Sequence, residues 1–364
     1  MGRDQCQMGT TPQSSRVPQK VVSKSTLPVR NGWPSRAVIG RCDERMREAI
    51  GDLARTPLVR AFWSRTFALL QRIGVSVTPV HYYFPVPDVN TLARRDWGRH
   101  VNTCGLDLRL SQQIELLAHD IVPFSPEWVF GESHHDSEFH FNNGFFERVD
   151  AEVAYSLVRR LKPERIVEIG TGYSTRLLTA ALLTNRKAGG KGRLVSIDPF
   201  SNKRSGPSFE GQTRIMKTSV RDVPLETFKS LQANDVLFID SSHVVSIDSD
   251  VVFEILELLP LLASGVVVHF HDMFIPFDYP EKFVIGNLCF WGEQYLLQAF
   301  LMFNGDFQTL WSGSAMQYYQ HDLLEKAFPG WRGSYLRVPK TLTTFTPTLD
   351  GQNVWPCSLW IRRK

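Results

Sequence analysis

From Asp150 onward the apolar positions alternate between two patterns: short continuous runs and longer stretches with helical spacing. The runs are Arg165–Ile169, Arg193–Ile197, Arg214–Lys217, Val236–Ile239, Val266–Phe270 and Phe307–Trp311, each read as a strand. Between them, Ala151–Leu161, Tyr173–Thr184, Leu225–Leu231, Asp248–Leu262 and Glu293–Phe303 carry the 3.6-residue period of helices. Asp150 is placed to cap the first of these helices. Apolar strands without polar alternation, separated by helices, predict an α/β fold with a Rossmann-like, doubly wound, mostly parallel sheet covered on both faces. Ser358–Arg362 is positioned to add a last strand, and the long stretch before it reads as an insertion at about residues 313–356.

The earlier part of the chain reads differently. Asp43 is placed to cap a helix ending near Pro57, Leu58–Ile73 has helical spacing, and Ser111 is placed to cap a short helix through Ile121. Between them, the aromatic and proline-broken Thr78–Asp88 excludes regular helix. Three regions result: residues 1–41 as a disordered basic tail, 42–147 as a helical and irregular N-terminal extension, and 148–364 as the α/β domain.

Charge sharpens this division. Residues 1–41 hold seven Arg and Lys against Asp4 alone, a net of +6, so the overall +4 leaves −2 for the remainder. A folded part of that charge lacks the basic surface of a nucleic-acid binder. The five cysteines are scattered and never form CxxC, which argues against a disulfide framework or structural zinc. No apolar run reaches the length of a membrane span, and no secretory apolar segment leads the chain, so a cytoplasmic location is expected.

The candidate chemistry lies at strand ends. Ile166–Thr175 (IVEIGTGYST) runs from a strand through Gly170 and Gly172 into a helix beginning at Tyr173 and Ser174. Glycines allow a tight turn and close ligand approach beside the free N–H groups of a helix N-terminus. Thr175 stands where a dinucleotide-binding loop has its third glycine, and Glu168 would repel a phosphate but suits a cationic ligand. Asp198, ending the second strand, is placed for ribose hydroxyls, although before Pro199 it also reads as a turn former. A third group, Asp240, Ser241, Ser242 and His243 with His269, His271 and Asp272, lies at the ends of two adjacent strands. His243 has the residue type of a general base; a structural histidine is the alternative.

In their order, IVEIGTGYST, VSIDPF, DVLFIDSSH and GVVVHFHDMF resemble the class I S-adenosylmethionine-dependent methyltransferases of the bacterial methyltransferase-24 type, over roughly residues 142–312. The resemblance implies that Glu168, Gly170 and Gly172 hold the methionine part of S-adenosylmethionine, Asp198 its ribose, and that Ser219–Asp222 lies near the adenine, with Tyr173, Ser174 and Asp222 among the cofactor-binding residues. Metal-dependent relatives bind a divalent ion through an acid after the fourth strand and a pair after the fifth, which here implies Asp240, His271 and Asp272. Capping of loop amides is the other reading of these acids. His243, Asp240 and Asp272 are the implied catalytic residues.

The expected function is methyl transfer to oxygen of a small-molecule or glycan-like acceptor, with no nucleic-acid partner and a homo-oligomer as one option. Rival readings are a metal-dependent hydroxylase-like enzyme or a non-catalytic cofactor-binding protein on the same fold. Lesser candidates are Glu132–His140, Asn142, Asn143, Phe145, the aromatic trio His81, Tyr82 and Tyr83, and Trp291, Glu293 and Gln294.

Overall fold

The computed structural model describes residues 66–67, 69–78, 85–97, 99–131, 138–201, 213–331 and 355–364. The predicted tail, the Asp43 helix and His81–Tyr83 lie outside these. The chain divides into two units, Met1–Val89 and Asn90–Lys364. In the first, a helical stretch ends in a turn where the Ile73 N–H donates to the Leu70 carbonyl at 3.1 Å.

The second unit is built on one seven-stranded sheet. Its strands are β1 (Arg165–Ile169), β2 (Arg193–Ile197), β3 (Thr213–Met216), β4 (Val236–Ile239), β5 (Val267–Phe270), β6 (Phe307–Ser312) and β7 (Leu359–Arg363). They lie in the order β3-β2-β1-β4-β5-β7-β6. Strands β1 to β5 pair in parallel, and β7 inserts antiparallel to both β5 and β6. The predicted Rossmann-like sheet is therefore present, mostly parallel with an antiparallel edge. Every residue of β4 and β5 is buried, as expected for strands covered on both faces.

The two-residue side-chain period sorts the strands between two cores. Ile166, Leu194, Val236, Phe238 and Trp360 face one layer with α2 (Asp150–Leu161) and α3 (Tyr173–Lys187). Val167, Ile197, Leu237, Ile239 and Phe270 face the other, with α4 (Asp250–Phe253) and α5 (Glu293–Leu301). Each fully buried aliphatic or aromatic side chain contributes about 1.5–3 kcal/mol.

Several sequence expectations change. Asp150 opens α2 but does not cap it; its carboxylate accepts the Cys357 and Ser358 N–H groups at 2.8 and 3.0 Å and anchors the entry to β7. The N-terminal donor at Val149 is satisfied instead by Glu152 at 2.8 Å. Ser111 lies inside α1 (Leu110–Leu116), which continues as a π turn, Leu117–Ile121. The predicted Asp248–Leu262 helix is α4 followed by a π turn, Glu254–Leu258, and a 3₁₀ turn, Leu259–Leu261, where Pro260 offers no N–H. The predicted insertion opens with a further helix, α6 (Gly313–Ala327); residues 332–354 lie outside the described residues. Part of the predicted extension belongs to the first core, where Leu117, Ile121, Phe139 and Phe141 pack with α2. Among the described residues no helix is long and apolar enough to cross a membrane, and Cys104, Cys289 and Cys357 are free thiols.

Candidate active site

The carboxyl ends of β1, β2, β4 and β5 share one edge of the sheet, where open α/β folds place their ligands. After β1 the chain turns at Gly170, whose φ of +93° is left-handed. A Cβ there would stand 2.1 Å from the Asp240 carbonyl oxygen, so only glycine permits the β1 and β4 tips to approach. Around Gly172 a Cβ would meet nothing within 4 Å, so open space lies beside the loop.

Glu168 sits on the α3 face of β1 and is fully buried. Ser174 and Thr175 from the first turn of α3 each donate to it at 2.8 Å, and Ser196 of β2 donates at 2.5 Å. Burial pushes this carboxyl up to about 7, against the pull of the three hydroxyls. The side chain expected to meet a cationic ligand thus fastens the loop from within, and Ser174 is occupied with it. Tyr173 stacks on Phe145 at 6.1 Å. The Asp198 carboxylate takes the Phe200 N–H at 2.7 Å and the Thr171 hydroxyl, tying the β2 tip to the glycine loop. Asp222 is exposed on a turn that Ser219 caps.

Beside this loop lies a cavity of about 300 Å³, lined by Phe145, Glu147, Asp150, Asp240, His243, His271, Asp272, Trp291, Trp355 and Cys357 among others. It gathers the Asp240, His243, His271 and Asp272 that the sequence singled out. His243 and Asp272 both have left-handed backbones, with φ of +60° and +56°, a region that histidine and aspartate enter more readily than most side chains.

His243 is 7% exposed. Its Nδ1 lies 2.7 Å from Glu293 Oε2, and its Nε2 lies 3.4 Å from Asp240 Oδ1 and 3.6 Å from Asp272 Oδ2. Burial opposes its charge, but the bonds to Asp240 and Glu293 outweigh that and raise its pKa well above 6.5. Burial would likewise raise Asp240, yet the His271 and His243 charges hold it at about 2. His271, though buried, is raised to about 9 by Asp272 and Asp240. Both ring nitrogens of His243 thus face carboxylates, Nδ1 at hydrogen-bond distance and Nε2 farther off.

Other candidates resolve as scaffold. His269 is buried between Phe238, stacked at 3.7 Å, and Ser358, at 2.9 Å, and burial drives its pKa well below 6.5. Ser241 donates to Glu254 at 2.9 Å, and Ser242 to Asp250 at 2.5 Å. Gln294 clasps the loop after β5 through the Phe274 N–H and the Phe277 carbonyl, so it offers nothing to a ligand. Asn143 bridges backbone groups of His140, Phe145 and Phe146, shaping the turn that presents Phe145. In Glu132–His140, residues 132–137 lie outside the described residues.

Sequence reading missed Glu147 and Cys357. Glu147 takes the Gly144 N–H at 2.7 Å and the Asn142 N–H at 3.1 Å, and burial pushes it up to about 7. The NNG turn ending three residues before this buried acid was its only local signal. Cys357 reaches the cavity only because β7 folds back beside β5.

Residues 167–273 match the model of the Methyltransf_24 family, described as a methyltransferase domain. An uncharacterised protein of Archaeoglobus fulgidus is 29% identical over 175 residues, covering 45% of this chain and 77% of the relative. Among solved structures, an O-methyltransferase from Bacillus cereus in complex with SAH is 14% identical, covering 70% of this chain and 91% of that one at a TM-score of 0.33. A Thermobifida fusca protein provisionally described as a methyltransferase is also 14% identical, with coverages of 59% and 81% and a TM-score of 0.33. These structural likenesses are weak; the segment matched by the family model runs from within β1 to just past β5. That match lies over the strand tips that form the site, so this part of the chain is similar to a methyltransferase domain.

Proposed function

We propose that the protein methylates an oxygen of a small-molecule or glycan-like acceptor held in the cavity beside the glycine loop. The observation that carries this is the contact between the two sites: the Asp240 carbonyl occupies the space a Gly170 side chain would need, so the acid-lined cavity begins where the loop ends. The open space at Gly172, the N-terminus of α3 and the Asp198 carboxylate fit S-adenosylmethionine. When bound, it supplies an electrophilic methyl on a sulfonium.

The chain's own residues do the rest. Asp198 accepts hydrogen bonds from the ribose, Tyr173 and Phe145 give an apolar wall, and Glu168 acts through the loop it fastens. Asp222, on the exposed turn after β3, meets the adenine end. Phe283, Trp291 and Trp355 line the cavity and exclude water from the acceptor. Asp240 and Asp272 orient the acceptor hydroxyl as hydrogen-bond acceptors. Both are poor bases, since cationic neighbours hold their pKa values low. Glu147 lines the same cavity with a pKa near neutrality, the match a general base needs, and takes the hydroxyl proton.

The test is incubation of the full chain with methyl-labelled S-adenosylmethionine and a panel of phenols, hydroxy acids and glycosides, read by mass spectrometry. Transfer to oxygen of at least one member supports the reading; transfer only to nitrogen or carbon acceptors contradicts it.

A further inference from the structure

The resemblance implies a divalent ion on Asp240, His271 and Asp272, and the structure does not gather those three. Among the described residues, the trio of metal-type ligands that brings one atom from each within 4.8 Å of the others is Asp150, His271 and Cys357. All three are buried, and all line the cavity of about 300 Å³. Asp240 is not among them; with Asp272 it faces the His243 Nε2, at 3.4 and 3.6 Å. Asp150 and Cys357 also lie outside residues 167–273, the segment that matches the family model.

Distant parts of the chain make this trio. Asp150 opens α2, His271 follows β5, and Cys357 arrives with β7, which pairs with β5. The Cys357 N–H donates to Asp150 Oδ2 at 2.8 Å and the Ser358 N–H to Oδ1 at 3.0 Å, so the backbone clasps carboxylate and thiol together. Each carboxylate oxygen keeps a further lone pair for an ion, and outer hydrogen bonds of this kind aim a ligating carboxylate. The His271 Nε2 lies 4.0 Å from the Cys357 sulfur. A tetrahedral ion with a metal–sulfur distance of about 2.3 Å and a metal–nitrogen distance of about 2.0 Å sets two such atoms roughly 3.5 Å apart, so a small inward shift closes the pair on it. The other nitrogen, Nδ1, faces Asp272 Oδ1 at 3.5 Å, on the side where metal-bound histidines find an orienting carboxylate. A thiolate with an imidazole selects a borderline or soft ion over magnesium or calcium. Three protein ligands leave a fourth position, which opens on the cavity that all three line.

We infer that Asp150, His271 and Cys357 form a transition-metal site of the zinc class, in place of the set that the resemblance implies. Binding of the ion releases the Cys357 thiol proton to solvent. The site stands on its ligands alone and does not depend on which acceptor the cavity takes.

The experiment is titration of the full-length protein with Co²⁺ and Zn²⁺, read by absorption and by X-ray absorption fine structure of the zinc-loaded protein. Stoichiometric Co²⁺ should raise a thiolate-to-cobalt charge-transfer band in the near ultraviolet, and Zn²⁺ should displace it. Zinc-loaded wild type should show one sulfur at about 2.3 Å beside nitrogen and oxygen neighbours at about 2.0 Å. Cys357→Ala should abolish the band and weaken Zn²⁺ binding at least about 100-fold, since losing even an outer partner of a ligand costs up to that much. Asp240→Asn should leave both the band and the affinity in place. A wild type that binds neither ion, or that binds zinc through nitrogen and oxygen alone, overturns the inference. So does a band that survives Cys357→Ala or is lost in Asp240→Asn. If circular dichroism shows that Cys357→Ala does not fold, the wild-type X-ray spectrum and the Asp240→Asn titration decide.

Discussion

At the tip of β1 a buried acid, Glu168, is held by three neutral hydroxyls; at the tips of β4 and β5, Asp240 and Asp272 face the Nε2 of His243 at 3.4 and 3.6 Å. Hydroxyls satisfy the oxygens without supplying charge, so burial wins and the carboxyl rises to about 7. Cations supply charge, so they beat burial and Asp240 falls to about 2. The same residue type thus fastens a loop in one place and presents fixed negative charge to a cavity in the other. Donor chemistry decides between the two roles.

Breaking the seam between these regions should have the largest effect. Gly170→Val puts a β-branched residue at φ +93° and a Cβ against the Asp240 carbonyl. A loss of about 3 kcal/mol or more in denaturant-unfolding stability is expected, since strained backbones alone cost 1–3 kcal/mol. A stability change below about 1 kcal/mol would mean the tips do not meet.

Next comes the cavity carboxyl near neutrality. As a general base Glu147 works deprotonated, so turnover should rise with pH and level off above about 7. Glu147→Gln should lower turnover by about 10²–10⁴-fold and flatten that rise. A variant that keeps both the rate and the profile places the base elsewhere.

The comparison itself is sharpened by Glu168→Gln. A carboxyl whose folded pKa lies above its unfolded value of 4.5 makes the folded state bind the extra proton between those values, so its contribution to stability falls as pH rises from about 4.5 to 7. Wild type should lose up to about 3 kcal/mol relative to Glu168→Gln across that window. Parallel stability curves for the two proteins would show that Glu168 does not titrate there.

The smallest effect is expected at Asp222, exposed and on the rim. Asp222→Ala should change S-adenosylhomocysteine affinity by less than about threefold, within the range of surface substitutions. A larger loss by calorimetry would move Asp222 into the binding site.

What was legible in the sequence follows from how far its cause lies along the chain. Strand β1 and the loop after it are local: an apolar run, two glycines and a helix start, all within IVEIGTGYST. Strands β2 and β4 were likewise readable residue for residue from their apolar runs. The partners of the chemistry were not. Asp150 looks like a helix cap, and only the return of β7 beside β5 shows that it anchors Cys357 and Ser358. His243 shows only its residue type along the chain; its partner at Nδ1, Glu293, lies fifty residues on and is visible only in the fold. Glu168 looks poised for a ligand because hydroxyls that satisfy it across strands and turns leave no one-dimensional mark.

Calorimetry of S-adenosylhomocysteine binding tests the central claim most directly, with Asp198→Ala and NAD as controls. Wild type should bind S-adenosylhomocysteine and not NAD, and Asp198→Ala should weaken that binding by about 10–100-fold, the loss of a hydrogen bond to a charged group. Binding of NAD with no response to S-adenosylhomocysteine would contradict the account.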